Sequence, residues 1–258
     1  MNPKFHTAVA IAMLCAASAG AQKKPTATKW AVVDELVLAN RILVDQGVLD
    51  AYGHISVRDP QNPNHFLLGR HIPAITINAA DIVEYDFDAN PVDGSDSIGY
   101  TERFIHSEIY RARPDVMSVV HTHAPDLIPF TDTATPLRPM YHMAGFLGVG
   151  VPVFEIRKTG GMTDMLIRNG ALGKALAQAL GDKNAALMRG HGAVVAAPTL
   201  HIAAGWAYYM SLNARLQWQA LLANTAVSYL DPEEAKKAAM QDGYERYWAA
   251  GKKKLEGR

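Results

Sequence analysis

Cysteine is nearly absent from this sequence: Cys15 is the only one among 258 residues. One thiol cannot form a disulfide within the chain, and Cys15 lies in an N-terminal segment with the features of a cleaved signal peptide. The mature protein is therefore predicted to contain neither a disulfide nor a thiol nucleophile. Any metal site that it holds must use nitrogen and oxygen ligands.

An excess of charge of either sign is lacking as well. The chain has 25 Lys and Arg against 25 Asp and Glu, so its formal net charge is zero. Proteins that bind nucleic acid or an anionic membrane surface carry a basic excess or a basic stripe, which this composition does not provide. We therefore expect no nucleic-acid partner.

Long apolar runs are also missing. The apolar run at residues 8–18 is too short to span a membrane, and no second one follows. Lys4 precedes this run, and residues 19–21 (AGA) follow it as a small-x-small cleavage site. We therefore predict a signal peptide over residues 1–21, a periplasmic or secreted location, and no membrane association after cleavage. An uncleaved anchor or a misassigned start is the alternative.

The rest of the chain intersperses helical and strand patterns without a strict βαβ rhythm. Apolar spacing and end signals predict helices over 28–46, 101–111, 163–180 and 199–223 and a terminal helix from 231 to 254. Alternation and β-branched runs predict strands at 53–58, 65–69, 73–78, 116–123, 151–156, 185–188 and 193–197. We predict an α/β fold, a mixed central sheet covered by helices, as a single domain over 28–250.

The first chemical motif is HTH at 121–123, at the end of a β-branched segment. Side chains two residues apart on a strand point to the same face of the sheet, so His121 and His123 project into one cavity. A divalent metal can take the lone pairs of two neutral imidazoles that are held side by side. A pair of surface histidines near a strand end is the alternative interpretation.

His191 adds a third imidazole in the turn RGHG at 189–192, where two glycines allow a sharp bend and leave the ring unobstructed. Three histidines from two strand ends match the open three-ligand pattern of a catalytic metal site. Glu102, at the start of a predicted helix, can act as an oxygen ligand or as a base. His106 lies one turn further on the same helix face. An ordinary capping glutamate with a packed histidine is the alternative.

Four segments in this order resemble the class II aldolase/adducin family: GHISVR at 53–58, E-x3-H-x3-Y at 102–110, RPDVMSVVHTHAP at 113–125 and RGHG at 189–192. The resemblance implies a metal-dependent α/β enzyme in which two strand histidines, the histidine of the GHG turn and the helix glutamate hold one divalent ion per subunit. By resemblance these ligands are His121, His123, His191 and Glu102. In that family the glutamate is a metal ligand in the free enzyme and the proton-transferring base in turnover, and the resemblance implies both roles for Glu102.

The resemblance has implications for the ion and the assembly. Zinc is favoured, and manganese, iron and cobalt accept the same nitrogen and oxygen donors. Enzymes of this family are typically fourfold tetramers with sites between subunits, so a homotetramer is expected. His106 is expected to be a structural residue of the core.

The sequence departs from the sugar-phosphate members of the family at their phosphate-binding positions. His54 replaces the asparagine of a G-N-x-S motif whose serine is kept as Ser56, and Arg70 and His71 stand near the position of a Thr-Gly pair. Arginine can pair bidentately with a planar carboxylate. We therefore predict that these four residues bind the anionic end of a small carboxylate substrate. Arg70 as a solvated loop residue is the alternative.

A second departure concerns the tyrosine that protonates the leaving group in the aldolases of this family. The closest alignment puts His142 at that position, with Tyr141 beside it. An imidazole has a pKa that suits acid catalysis near neutral pH. Tyr141 and His142 are both predicted as catalytic residues, and the sequence leaves open which of them is the acid.

The segments ERFIHSEIYRARPDV, LRPMYHMAGFLG and LMRGHGAVV are similar to a subgroup that handles hydroxylated aromatic acids. The resemblance therefore implies a divalent-metal-dependent carbon–carbon lyase for a non-phosphorylated aromatic hydroxy acid, acting by decarboxylation or aldol-type cleavage. A sugar or sugar-phosphate aldolase or epimerase with a rebuilt anion site is the first alternative. A non-catalytic adducin-like interaction module is the second, and the complete set of metal ligands argues against it.

Overall fold

A computed structural model of the chain describes residues 29–94, 99–239 and 243–257. The predicted signal peptide, residues 1–21, lies outside the described residues and stays a prediction. The strands are β1 (His54–Arg58), β2 (His65–Gly69), β3 (Ile82–Asp86), β4 (Ser118–Thr122), β5 (Val153–Phe154), β6 (Ala185–Met188) and β7 (Gly192–Ala197).

The α-helices are α1 (Lys29–Asp45), α2 (Arg103–Ala112), α3 (Ile128–Asp132), α4 (Arg157–Gly160), α5 (Gly170–Leu180), α6 (Leu200–Leu222), α7 (Pro232–Ala238) and α8 (Glu245–Glu256). Four short 3-10 helices lie at Ala74–Thr76, Ala79–Asp81, Pro125–Leu127 and His142–Val149.

The seven strands form one sheet in the order β3-β2-β1-β4-β7-β6-β5. The neighbouring strands are antiparallel except β5 and β6, which are parallel. The predicted α/β fold with a mixed central sheet is therefore confirmed. β4 lies in the middle of the sheet, with β1 on one side and β7 on the other, so the ends of all three strands meet at one edge.

Helices cover both faces of this sheet. Successive residues of a strand point to opposite faces, and the fully buried Val119 and Val120 of β4 accordingly belong to two different hydrophobic clusters. The cluster around Val120 includes residues of α1, α6 and α8, whereas the cluster around Val119 includes residues of α2 and α5. His121 of β4 shares the face of Val119 and therefore lies under α2.

One predicted strand is absent. Residues 73–78 instead contain the 3-10 helix Ala74–Thr76. Pro73 has no N–H to donate to a neighbouring strand, and Asn78 caps the next turn by accepting a hydrogen bond from the N–H of Ala80 at 3.0 Å. The third strand of the sheet is β3, which follows this turn.

The helix predicted over 163–180 begins later than expected. Asn169 accepts a hydrogen bond from the N–H of Leu172 at 3.0 Å and thereby caps the start of α5. Residues 163–169 form a loop, in which Met165 has a positive φ of 72°. This difference matters for the site, because the backbone of the loop contacts two of the candidate metal ligands.

The predicted terminal helix from Asp231 is divided into α7 and α8. Gly243 and Tyr244 have φ values of 73° and 65°, a left-handed conformation through which a right-handed helix cannot continue. α8 packs against α6 through Trp248, whose ring stacks on that of His201 with 4.0 Å between centroids. Among the described residues, no helix is both long and apolar enough to cross a bilayer.

Candidate metal centre

Two histidines lie on one face at the end of β4. His121 is in the strand and His123 follows its last residue, so the period of two places both rings on the face covered by α2. The side chain of His121 is fully buried, whereas that of His123 keeps 20% of its exposure. The pair is therefore open to solvent on the side of His123.

His191 reaches the same point from the turn between β6 and β7. Gly190 has a positive φ of 60°, and a Cβ added to Gly192 would lie 2.1 Å from the carbonyl oxygen of Thr122. Only glycine allows the turn to approach the end of β4 so closely. The hydroxyl of Thr131 accepts a hydrogen bond from the N–H of Gly190 at 3.0 Å and holds the turn in place.

Glu102 comes from the opposite side, at the N-cap position of α2. The helix predicted over 101–111 therefore begins at Arg103, two residues later than expected. The carboxylate of Glu102 does not cap its own helix. Instead its Oε1 accepts a hydrogen bond from the N–H of Ile167 at 2.8 Å, and its Oε2 lies next to the histidines. The helix start therefore positions an acidic ligand rather than a capping group.

Glu102, His121, His123 and His191 each offer one ligand atom, and these atoms lie within 4.8 Å of one another. Nε2 of His123 is 3.0 Å from Nε2 of His121 and 3.2 Å from Nε2 of His191. Oε2 of Glu102 is 3.3 Å from Nε2 of His121 and 3.4 Å from Nε2 of His191. Ligands held tetrahedrally at about 2.0–2.1 Å from an ion are about 3.3 Å apart, so the spacing fits a divalent metal.

The tautomers of the three rings support the same conclusion. In each ring Nδ1 lies next to an oxygen: His121 3.2 Å from the carbonyl of Ala193, His191 3.1 Å from the carbonyl of Met165, and His123 3.2 Å from the carboxylate of Asp50. With the proton on Nδ1, every Nε2 presents a lone pair to the others. Three lone pairs at this spacing repel one another unless a cation lies between them. We call the side chains of Glu102 and the three histidines the metal cluster.

The electrostatics of the metal cluster favour the ligand forms. Burial by itself raises the pKa of Glu102, but the charges and hydrogen bonds of His121 and His191 outweigh it and hold the pKa well below its usual range. Burial, reinforced by the neighbouring His121, lowers the pKa of His123 to about 4. Burial also acts to lower the pKa of His191, but the bond and charge of Glu102 raise it overall. At neutral pH the cluster thus offers an ionised carboxylate and a neutral His123.

Two of the predicted substrate-binding residues lie on β1, next to the metal cluster. His54 pairs with His121 across β1 and β4, and their ring centroids are 5.1 Å apart. The hydroxyl of Ser56 is fully buried, 2.6 Å from Nδ1 of His106 and 2.7 Å from the hydroxyl of Tyr110. The structure therefore does not support a direct substrate contact for Ser56, because both neighbours of its hydroxyl belong to the interior. His106 is fully buried, which agrees with its expected place in the core.

Arg70 and His71 lie at the end of β2. The Nε of Arg70 is 2.6 Å from Oδ1 of the buried Asp81, and the arginine side chain is 54% exposed. One edge of the guanidinium is therefore occupied by an internal carboxylate. The ring of His71 is 5.5 Å from that of Tyr100, which in turn is 4.5 Å from that of His54. These rings form a row that leads from the metal cluster to the surface at Arg70.

Tyr141 and His142 lie away from this row. Tyr141 packs against Tyr209 of α6 with 6.5 Å between ring centroids, and its buried hydroxyl has no hydrogen-bond partner among the described residues. His142 lines a cleft of about 790 Å³ together with Tyr247 of α8 and other residues of α6 and α8. In the described part of the chain, no hydrogen bond or ring contact joins either residue to the metal cluster. A single chain therefore does not bring the predicted acid to the candidate ligands.

Three groups that hold the ligands in place were not predicted from the sequence. They are the carboxylate of Asp50, the carbonyl of Met165 and the N–H of Ile167. The loop that carries the two backbone groups was expected to be helical, and a helix would have used those groups internally. Asp50 had one signal, an acidic residue in the turn just before the strand that pairs with β4.

The fold and the metal cluster together define an α/β protein with a site of three histidines and one carboxylate at the edge of a mixed sheet. A family model described as Class II Aldolase and Adducin N-terminal domain matches residues 34–218. This match spans well over half of the chain, so the chain belongs to that family. The family resemblance of the sequence motifs is thereby confirmed.

Relatives and solved structures agree with this assignment. The decarboxylase tropJ of Talaromyces stipitatus is 40% identical over 200 residues, which cover 72% of this chain and 75% of that protein. A 3,4-dihydroxyphthalate decarboxylase of Arthrobacter keyseri is 32% identical over 212 residues, which cover 76% of this chain and 82% of that protein. An aldolase II superfamily protein of Pseudomonas syringae superposes with a TM-score of 0.75 at 25% identity, covering 90% of this chain and 94% of that one. The comparisons agree with the predicted lyase class.

Proposed function

We propose that the protein is a divalent-metal-dependent carbon–carbon lyase that acts on a non-phosphorylated aromatic hydroxy acid, by decarboxylation or by aldol-type cleavage. The convergence of Glu102 and three histidine Nε2 atoms, in a chain similar to proteins named decarboxylases, carries this proposal. Zinc is the favoured ion, because three nitrogens and one carboxylate oxygen at tetrahedral spacing suit it. Manganese, iron and cobalt accept the same donors.

Both reactions break a carbon–carbon bond and leave its electron pair on a carbon next to an oxygen-bearing carbon. The bound ion would supply Lewis-acid stabilisation of the negative charge that develops on the carbonyl or phenolate oxygen. In decarboxylation carbon dioxide departs, and the carbon that keeps the electron pair takes up a proton. Glu102 is placed to transfer it: Oε1 is fixed by the N–H of Ile167, and Oε2 faces the cluster. Glu102 would hold the ion in the free protein and give up that role in turnover, when it accepts the proton of the substrate hydroxyl and returns it to carbon.

We propose that the aromatic acid binds against the row of rings formed by His54, Tyr100 and His71. Aromatic rings offer flat apolar contact to a substrate ring, and the exposed guanidinium of Arg70 stands at the outer end for its carboxylate. Asp81 occupies the Nε edge of that guanidinium, so a substrate carboxylate has to use the remaining N–H groups or compete with Asp81. This arrangement supports a planar anion better than a tetrahedral phosphate, which small hydroxyl donors would surround.

The assembly and the location of the protein complete the proposal. We infer a homotetramer in which Tyr141 or His142 of one subunit serves the metal cluster of a neighbour, since neither side chain contacts the cluster within its own chain. We also infer cleavage after residue 21 and export to the periplasm or the medium, which would favour a free acid over a phosphorylated substrate of the intracellular pool.

Metal content and product formation test the proposal together. We expect about one ion per chain in the purified protein, lost in His121→Ala/His123→Ala and kept in His201→Ala, a histidine bound to Glu245 outside the cluster. The metal-loaded wild type is then assayed for carbon dioxide release from hydroxyaryl carboxylates and for cleavage products. The double variant is expected to be inactive and the His201 variant active.

Each alternative function predicts a different result in the same assays. Binding of dihydroxyacetone phosphate to the metal-loaded protein, with turnover of sugar phosphates and none of aromatic acids, would support the aldolase or epimerase. Absence of metal even after reconstitution would overturn the lyase and support an adducin-like interaction module.

A further inference from the structure

His54 stands beside the metal cluster with one ring nitrogen engaged in the interior and one left open. It is directly opposite His121 in the antiparallel register of β1 and β4, so both side chains lie on the same face of the sheet. Its Nδ1 is 2.7 Å from Nε2 of His106. Its other ring nitrogen, Nε2, makes no hydrogen bond among the described residues, and the residue as a whole is 1% exposed.

The contact between His54 and His106 is one end of a longer, buried chain of hydrogen bonds. Nδ1 of His106 is 2.6 Å from the hydroxyl of Ser56, and that hydroxyl is 2.7 Å from the hydroxyl of Tyr110. All four side chains are at most 1% exposed, so water does not compete for these bonds. None of the four hydrogen-bonded side chains is a carboxylate, so no negative charge among them stabilises a second proton on His54 or His106.

The Tyr110 end of this chain of hydrogen bonds determines which atom is the donor in each of them. Tyr110 is buried, and the Ser56 hydroxyl is the partner of its hydroxyl among the described residues, so the Tyr110 hydrogen donates to Ser56. Ser56 then donates to Nδ1 of His106, and Nε2–H of His106 donates to Nδ1 of His54. In the reverse direction the Tyr110 hydroxyl hydrogen would have no acceptor among the described residues, which is costly for a buried group.

We propose that the chain Tyr110–Ser56–His106–His54 fixes His54 as the Nε2–H tautomer, which places an uncharged N–H donor beside the metal cluster. Ser56, His106 and Tyr110 are positioning residues, since they act only through His54. The ring next to the ion is then a hydrogen-bond donor to a substrate oxygen, and it is not a cation that holds a carboxylate by charge.

The consequence for specificity rests on the proposed function. A fixed N–H donor on the face of His121 suits a phenolate, carbonyl or carboxylate oxygen that also approaches the ion. It cannot form a hydrogen bond with a substrate group that has a hydrogen to donate but no lone pair to accept one. A single well-placed donor of this kind is worth about tenfold in kcat/KM when it is lost.

The tautomer is read directly by solid-state 15N NMR of the zinc-loaded, full-length protein labelled at histidine nitrogens. His54→Gln and His106→Gln assign the signals. We expect Nε2 of His54 in the protonated range and Nδ1 in the unprotonated range in the wild type. Tyr110→Phe removes the end that sets the direction, and Ser56→Ala breaks the chain, so both should populate the Nδ1–H tautomer of His54. Tyr85→Phe is the matched control, because its buried hydroxyl has no hydrogen-bond partner among the described residues.

A wild-type spectrum with the proton on Nδ1 of His54, or with both nitrogens protonated at neutral pH, overturns the inference whatever the enzyme's substrate proves to be. A tautomer that stays unchanged in both Tyr110→Phe and Ser56→Ala overturns the role of the chain. Activity gives a second measurement: Ser56→Ala should lose about tenfold in kcat/KM, and His54→Gln, which keeps an N–H donor, should retain more activity than His54→Phe. Failure to find aromatic-acid turnover would refute the proposed function and leave the spectra as the test of the tautomer.

Discussion

Both carboxylate oxygens of Asp50 lie 3.2 Å from Nδ1 of His123. Burial raises the pKa of Asp50, but the backbone N–H groups of Tyr52 and Gly53, together with His123, outweigh it and lower the pKa. Those N–H groups donate to Oδ1 at 2.9 and 2.7 Å, so the turn before β1 holds the carboxylate in position. An ionised Asp50 keeps the proton of His123 on Nδ1 and leaves the Nε2 lone pair for the metal.

Asp50→Asn should therefore weaken metal binding about 10- to 100-fold while leaving the fold intact, the range found when a partner behind a metal ligand is removed. The amide oxygen can still accept from Tyr52 and Gly53, so the turn persists and the lost element is the negative charge behind His123. Competition with a chromophoric chelator measures the affinity. Asp88→Asn, at an exposed carboxylate paired with Arg111, is the control. Equal affinity of Asp50→Asn and wild type would show that His123 does not need Asp50.

Gly192→Ala tests the close approach of the GHG turn to β4. The new Cβ would lie 2.1 Å from the carbonyl oxygen of Thr122 and 3.2 Å from Cα of His123, and these backbone atoms have no alternative rotamer. We expect the turn to move away from β4, with a loss of metal and a destabilisation of about 1–3 kcal/mol by overpacking. Thermal unfolding and metal analysis check both effects. Gly170→Ala is the control, because the nearest atom to its Cβ is the end of the Glu108 side chain at 3.4 Å.

The features of this site that depend on neighbouring residues in the sequence were predictable, and the contacts between distant segments were not. Strand periodicity alone placed His121 and His123 on one face, and the glycines around His191 indicated a tight turn. The carbonyl of Met165 and the carboxylate of Asp50 reach the rings only through the fold, so no spacing in the sequence reports them. The strands of the sheet were predicted well where apolar and polar residues alternate or β-branched residues cluster, as in β1, β2 and β4. The prediction was wrong at 73–78, where Pro73 and the capping residue Asn78 favour short 3-10 helices over a strand.

Subunit mixing should restore activity if Tyr141 or His142 works across an interface. One variant, His121→Ala/His123→Ala, lacks the metal site but keeps the acid. The other, Tyr141→Phe/His142→Ala, keeps the metal site. Each is expected to be inactive alone, and co-expressed mixed tetramers are expected to regain part of the activity, because some interfaces then combine an intact metal cluster with an intact acid. If mixed tetramers are shown by mass spectrometry and remain inactive, the two positions do not serve a neighbouring site.

Stability at acidic pH should report on Glu84. Burial raises the pKa of this carboxyl, but its bonds to Lys29 and His65 outweigh it and lower the pKa below its unfolded value. A depressed folded pKa adds stability that is present above the unfolded pKa of about 4.3 and is lost as the pH falls through the folded pKa. Glu84→Gln should therefore be less stable than wild type by about 0.5–1 kcal/mol near neutral pH, the scale of a partly exposed ion pair. Urea unfolding should show this difference shrinking as the pH falls below about 4.3, the unfolded value; a difference that grows there would contradict the assignment.

Arg58 should be required for stability, because it holds together the chain segment that leads into β4. Its buried guanidinium donates to the carbonyls of Val116, Tyr110 and Arg113, each at an N–O distance of 2.9 Å, and also to the carbonyl of Pro63. Lysine has a single ammonium and cannot reach four carbonyls that a planar fork serves together. We expect Arg58→Lys to lose about 2–4 kcal/mol in the free energy of unfolding, because several buried carbonyls are left without donors. The control is Arg111→Lys at an exposed guanidinium, which should cost less than about 1 kcal/mol; equal losses in the two variants would mean that the buried carbonyls find other donors.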